Sequence, residues 1–190
     1  TEDTEELREA ITPETEMDAK RSCRFLGEVY LGHLRYGTHS GNSMAMCHPF
    51  VRKSNVASRN IALAGNFNMT NSSELFQNLV AYGLDPVGDS DTQVILEKIG
   101  HFLNEEHERL IKKHKNLDGR KLSKTVSKEL DLGRMLKKAA QYWDGGYVFA
   151  SLVGNGDCFI CRDPAGIRPA FMYINDEVVA CASERGALAN

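Results

Sequence analysis

The amino-acid sequence predicts an α+β fold, with antiparallel sheets and helices packed on their faces. Three features lead there. Short extended stretches occupy the part before residue 70. Apolar residues then recur at helical spacing from about residue 71 to 142. Four closely spaced extended stretches, with hairpin signals between them, fill the C-terminal part.

Residues 1–21 read as a polar lead-in, helical or disordered, and the first 20 hold eight acidic and two basic side chains. Thr12 before Pro13 is a cap followed by proline in the first turn. Residues 22–190 then form the domain. From Glu28 to Arg35 the pattern is extended, with Val29, Leu31 and His33 facing one way. A loop with Gly37, Gly41 and Asn42 follows and ends at His48-Pro49-Phe50. Ile61-Ala62-Leu63-Ala64 is a short strand, and Asn66 falls in a polar turn after it.

Asn71 with Glu74 three residues on is a capping-box variant, opening a helix that carries Leu75, Leu79 and Val80 and stops near Gly83. Ser90 with Gln93 repeats the entry signal for a longer helix marked by Val94, Ile95, Ile99, Phe102 and Leu103 and running to about Lys115. Asp118-Gly119 is a break, and a third helical pattern spans Ser123 to Tyr142 with Gly133 as its weak point. Tyr147–Val153, Cys158–Arg162, Ala170–Ile174 and Val178–Ala182 read as a strand meander turned at Gly154-Asn155-Gly156 and Asn175-Asp176.

A net charge of −3 argues against a general nucleic-acid binder. The basic stretch 101–138, with eleven Lys/Arg and six Asp/Glu, is best read as solvated helix faces, since Phe102 is its single aromatic. No apolar run is long enough for a membrane span. Five cysteines, odd in number and sparse, suit a reducing cytoplasm better than a disulfide framework.

Several residues are candidates for chemistry. Arg35, at the end of an extended stretch and before Gly37, could clamp a carboxylate with its fork of donors. Asn66 could donate to a developing oxyanion, or simply serve a turn. Asp91, after Ser90, could hold an ammonium group, or simply complement the helix dipole. Each is ambiguous alone.

The ordered set is more specific. Gly32-His33-Leu34-Arg35-Tyr36-Gly37-Thr38, His48-Pro49-Phe50, Asn66-Phe67-Asn68-Met69-Thr70-Asn71 and Asp89-Ser90-Asp91-Thr92 come in one sequence. They precede Arg162-Asp163-Pro164-Ala165-Gly166-Ile167-Arg168-Pro169 and Ala182-Ser183-Glu184. Over residues 27–190 this series resembles the glutaminase domain of the amidophosphoribosyltransferases, class II glutamine amidotransferases. The resemblance implies an N-terminal nucleophile hydrolase fold, an αββα sandwich of antiparallel sheets, here without its N-terminal strands. It implies that Arg35 grips the glutamine α-carboxylate, with Thr38 and His39 shaping that end, while Asp91 holds the α-ammonium. Asn66 would give one oxyanion donor and the Phe67 backbone N–H the other. A cysteine thiolate forms a thioester, ammonia leaves, and water releases glutamate. Ammonia then passes to phosphoribosyl pyrophosphate in a second domain, where magnesium is expected. No cofactor is implied for residues 27–190, and no iron–sulfur cluster is assigned. A homo-oligomer is expected, with neither nucleic acid nor membrane as partner.

Against the family pattern, Phe67 stands where glycine is usual, so the second oxyanion donor depends on the direction of the Phe67 N–H. The nucleophilic cysteine is absent from the sequence, which is therefore expected to be an excised piece without glutaminase activity of its own. The other reading is a non-catalytic glutamine-binding or regulatory module built on the same fold. Thr1, followed by an acidic run, does not look like a buried nucleophile. Cys47 is expected to be a core thiol, and Cys158 and Cys161, three apart on a strand, to face opposite ways. His101, His107 and His114 are expected to be exposed on their helix.

Overall fold

The computed structural model describes residues 12–23, 26–34 and 44–189. Two compact units divide the chain, residues 1–30 and residues 31–190. In the first, α1 (Pro13–Ser22) begins at a reciprocal cap. The Thr12 hydroxyl accepts the Thr15 N–H, and the Thr15 hydroxyl accepts the Thr12 N–H. Glu14 and Glu16 lie in its first turn and Lys20 and Arg21 in its last, as the helix dipole favours. None of its residues is buried, and Lys20 pairs both with Glu16 one turn back and with Glu28 beyond the helix.

The second unit carries β1 (Phe50–Arg52), β2 (Ile61–Met69), α2 (Ser72–Ala81), α3 (Asp91–Lys113), α4 (Gly119–Glu129), α5 (Leu132–Ala139), β3 (Gly145–Val153), β4 (Cys158–Arg162), β5 (Phe171–Ile174) and β6 (Val179–Ala182). The first four strands form one antiparallel sheet in chain order. β5 and β6 form a separate two-stranded sheet. The expected single meander is thus broken after β4. There the Asp163 carboxylate accepts the N–H groups of Ile167 (2.8 Å) and Arg168 (3.1 Å), and Arg162 donates to the Gly166 and Arg168 carbonyls. These bonds fold the link into a compact loop instead of a hairpin turn.

Helices cover one face of the sheet. Ile61, Leu63 and Met69 of β2 and Tyr147, Phe149 and Val153 of β3 pack there against Leu75, Leu79, Val94, Ile95, Ile99 and Leu103. Burying side chains of this size contributes about 1.5–3 kcal/mol each. α3 starts as the sequence implies: the Ser90 hydroxyl accepts the Gln93 N–H, a cap worth about 1 kcal/mol. α2 ends on Gly83 at φ +80°, where the Leu84 N–H reaches back to the Leu79 carbonyl.

Five further expectations are corrected. Residues 26–34 hold no strand. β1 pairs with β2 alone among the described residues, so no edge receives that segment. The strand begun at Ile61 does not stop at Ala64, because the alternation continues through Phe67 and Met69 on the helix side and Asn66 and Asn68 on the other. Asn66 therefore sits within a strand, not a turn. Asn71 stands at the α2 N-cap without capping it. Its amide instead donates to the Tyr142 carbonyl at 2.6 Å and accepts the Asp144 N–H at 3.4 Å. The third helical pattern divides at Leu130-Asp131, where the Asp131 carboxylate caps α5 by accepting the Arg134 N–H, and Gly133 lies inside that helix.

The fifth concerns isolated side chains. Cys47 is exposed, so it is not a core thiol. His107 is 2 % exposed, its ring nitrogen 3.2 Å from the Ser58 carbonyl, and His101 and His114 are half-buried. α3 is enclosed by the sheet on one side and by α2, α4 and α5 on others, which leaves little solvated face for them. Cys158 and Cys161 do face opposite ways, Cys161 toward the core with Phe159.

Candidate functional site

Register fixes which way each backbone group of β2 points. The Thr70 N–H donates to the Asp144 carbonyl (3.0 Å) and the Gly154 N–H to the Asn60 carbonyl (2.9 Å). Even-numbered residues of β2 therefore bond toward β3, and odd-numbered ones point to the opposite edge. β1 covers that edge only as far as Phe50 opposite Leu63. Beyond it, Gly65, Phe67 and Met69 direct their N–H groups outward along the strand.

Two side chains take the outer members of this trio. The Gly65 N–H donates to His48 Nδ1 at 3.2 Å. The Met69 N–H donates to Asp91 Oδ2 at 2.8 Å. The two bonds are four residues apart, about 13 Å along a strand. Between them lies the Phe67 N–H, pointing the same way. Phe67 keeps negative φ, and its ring stacks on Phe149 at 5.4 Å on the helix side. The Phe67 side chain is partly buried and packs against the core.

Asn66 is exposed on the face of β2 away from the helices, opposite Val148 in register. Asp91 is half-buried at the first position of α3, where the helix N-terminus favours an anion. Its second carboxylate oxygen accepts the Ser72 hydroxyl at the start of α2. Asp91 thus joins the end of β2 to the starts of two helices. Each of its oxygens retains a lone pair for a further donor.

Asn66, Phe67 and Asp91 are brought to one end of β2. Arg35, Thr38 and His39 lie outside the described residues. His33, two residues before Arg35, stacks on His48 with ring centroids 4.3 Å apart and planes at 18°, and so stands at this same edge. Among the described residues no cluster of His, Cys, Asp and Glu could hold a metal ion, and no helix is long and apolar enough to cross a membrane.

No family model matches the chain. Curated relatives do. It is 29 % identical over 162 residues to the amidophosphoribosyltransferase of Methanocaldococcus jannaschii, covering 85 % of this chain and 29 % of that protein. It is 30 % identical over 158 residues to that of Archaeoglobus fulgidus, covering 82 % and 29 %. Among solved structures, the glutamine phosphoribosylpyrophosphate amidotransferase from B. subtilis, complexed with ADP and GMP, superposes with a TM-score of 0.56. It shows 24 % identity over 82 % of this chain and 28 % of that one. The chain is homologous to part of an amidophosphoribosyltransferase.

It spans less than a third of the length of these amidophosphoribosyltransferase relatives. Its α+β fold of antiparallel sheets with helices on one face is the fold of the corresponding part of that structure. Sequence reasoning assigned no part to His48 and Ser72 at this edge of β2. In the sequence His48 reads as the end of a loop and as part of the motif series, with no role assigned to its ring. Its signal was register: extending the pairing of Phe50 with Leu63 backwards sets residue 48 opposite residue 65.

Proposed function

We propose that this chain forms part of the glutaminase site of a longer amidotransferase, which releases ammonia from glutamine for transfer to phosphoribosyl pyrophosphate. The observation that carries this reading is the edge of β2 beyond Leu63, which no strand covers among the described residues. Between the His48 and Asp91 bonds it offers a backbone N–H at Phe67, beside the Asn66 side chain and within a strand's length of a half-buried carboxylate.

In this reading Asp91 holds the glutamine α-ammonium, and Arg35 clamps the α-carboxylate with Thr38 and His39 beside it. A bidentate guanidinium suits that role better than lysine. A cysteine thiolate from outside this sequence attacks the carboxamide carbon. The Asn66 amide and the Phe67 N–H donate to the oxygen as it gains charge, and one such donor is worth about 2.7–4 kcal/mol of barrier. The C–N bond breaks with proton transfer to nitrogen, ammonia leaves, and water cleaves the thioester to glutamate. The fixed strand edge places the donors before the charge develops, which lowers the cost of reorganisation.

Magnesium belongs to this reading only with phosphoribosyl pyrophosphate, away from β2. Self-association of the whole protein and a reducing, cytoplasmic setting for its free cysteines complete it.

The deciding experiment is a glutaminase assay on the full-length protein. Asn66→Ala should lower turnover about a hundredfold or more, and Arg35→Lys should raise the KM for glutamine. A fall of less than about tenfold for Asn66→Ala would return that residue to a purely structural place in β2.

A further inference from the structure

We infer that His48 is a positioning residue for the glutaminase chemistry, acting through the Gly65 N–H on Asn66 and Phe67. The inference rests on the reading just given for those two residues. Where β1 ends, β2 has no further strand partner on that edge among the described residues, and Gly65 is the first odd-numbered residue beyond the last β1 pairing. An uncovered strand end frays unless something else takes its donors. In continued register residue 48 opposes residue 65, but the imidazole accepts the N–H in place of a backbone carbonyl.

The ring is held for this task. His33 stacks on one face of it, and Phe50 meets it at 67° with centroids 5.1 Å apart. With Nδ1 accepting, the neutral ring carries its proton on Nε2. Gly65 is held from its other side as well. A Cβ there would overlap Phe149 and the Val148 carbonyl of β3, so the strand backbone is pressed against its neighbour at that residue. Residue 65 is thus fixed between β3 and His48, and the peptide leading into Asn66 inherits that orientation. A hydrogen bond of this kind contributes little to global stability. A small change of direction at an oxyanion donor costs much more in rate.

The test compares acceptor positions. In the full-length protein, His48→Asn puts an amide oxygen where Nδ1 stood, His48→Gln puts its amide near the Nε2 position, and His48→Leu offers no acceptor. The expected result is a kcat for glutamine hydrolysis lowered about tenfold or more in His48→Leu and His48→Gln. The KM should stay within about twofold, and His48→Asn should recover most of the rate. Equal rates in the Asn and Gln variants would overturn the inference, and this comparison holds even if the Leu variant does not fold. Asn66→Ala run alongside separates two failures. If it lowers turnover while His48→Gln does not, the positioning role alone falls. If neither lowers turnover, the glutaminase reading falls and takes this inference with it.

Discussion

The Asp91 carboxylate accepts the Met69 backbone N–H across 2.8 Å, a bond between the first residue of α3 and the last residue of β2. It closes one end of a strand edge whose other end is closed by His48 at Gly65. A charged acceptor at that place does two things. It satisfies a backbone donor that no strand covers among the described residues, and it sets a negative charge two residues along the strand from the Phe67 N–H.

Asp91→Asn and Asp91→Ala separate these effects. The amide oxygen of asparagine can still accept the Met69 N–H, so Asp91→Asn should fold with a loss of about 1 kcal/mol or less. It removes the charge that would face an α-ammonium, and the KM for glutamine should rise about tenfold or more, since bonds to charged groups are worth about 1.5–3 kcal/mol. Asp91→Ala should add a stability loss of about 1–3 kcal/mol from the orphaned N–H and the Ser72 hydroxyl. Urea titration and steady-state kinetics on the full-length protein measure the two separately.

Gly65 and Gly146 both lack room for a Cβ, but the obstacles differ. At Gly65 the obstacle is the backbone of β3 and the Phe149 Cβ, which cannot move without shifting the sheet. At Gly146 it is the Ile167 side chain, 2.7 Å from the added atom and itself 62 % exposed. Gly65→Ala should cost about 1–3 kcal/mol as overpacking does. Gly146→Ala should cost less than half of that, because Ile167 can swing toward solvent. Paired denaturant curves give the ratio.

How much of this was legible from residue types alone differs between fold and site. The caps at Thr12 and Ser90 and the stop at Gly83 were readable, because each depends on neighbours within a few residues. The full length of β2 was missed, although its signal was present. Ile61, Leu63, Phe67 and Met69 keep one parity, and only the polar Asn66 and Asn68 between them suggested a turn. The diversion of the Asn71 amide to Tyr142 and Asp144 was not readable, since its partners lie some 70 residues away and exist only once β3 is paired. His48 belongs to the same class, because its acceptor role follows from where β1 happens to end.

His107 predicts a pH dependence in the near-neutral range. Burial holds its imidazole below the usual 6.5, and the Ser58 carbonyl only partly offsets this. Above pH 6.5 the ring is neutral in folded and unfolded chains alike, so pH has no effect through it. As pH falls through 6.5, the unfolded chain takes up a proton that the folded one resists, and stability drops until the lower folded value is reached. His107→Gln keeps a donor for the Ser58 carbonyl and removes the titration. The difference in stability between about pH 7 and about pH 5.5 should shrink in this variant.

Asp163 acts in a separate, more acidic window. Its burial alone would raise the carboxyl, but the backbone N–H groups of Ile167 and Arg168 outweigh that and hold it below its usual 3.8. A lowered folded value means the ionised form stabilises the native state. That contribution is complete above 3.8 and is lost as pH falls through the folded value. Asp163→Asn retains one acceptor and cannot ionise. It should be less stable than wild type at neutral pH, with its 163–168 loop more open to proteolysis. The stability gap should narrow below about pH 3.8, where the wild-type carboxyl also becomes neutral. Denaturant titrations of both proteins across that range test the slope. A gap that stayed constant with pH would show that the loop is held by packing of Ile167 against Gly146, with no contribution from the charge.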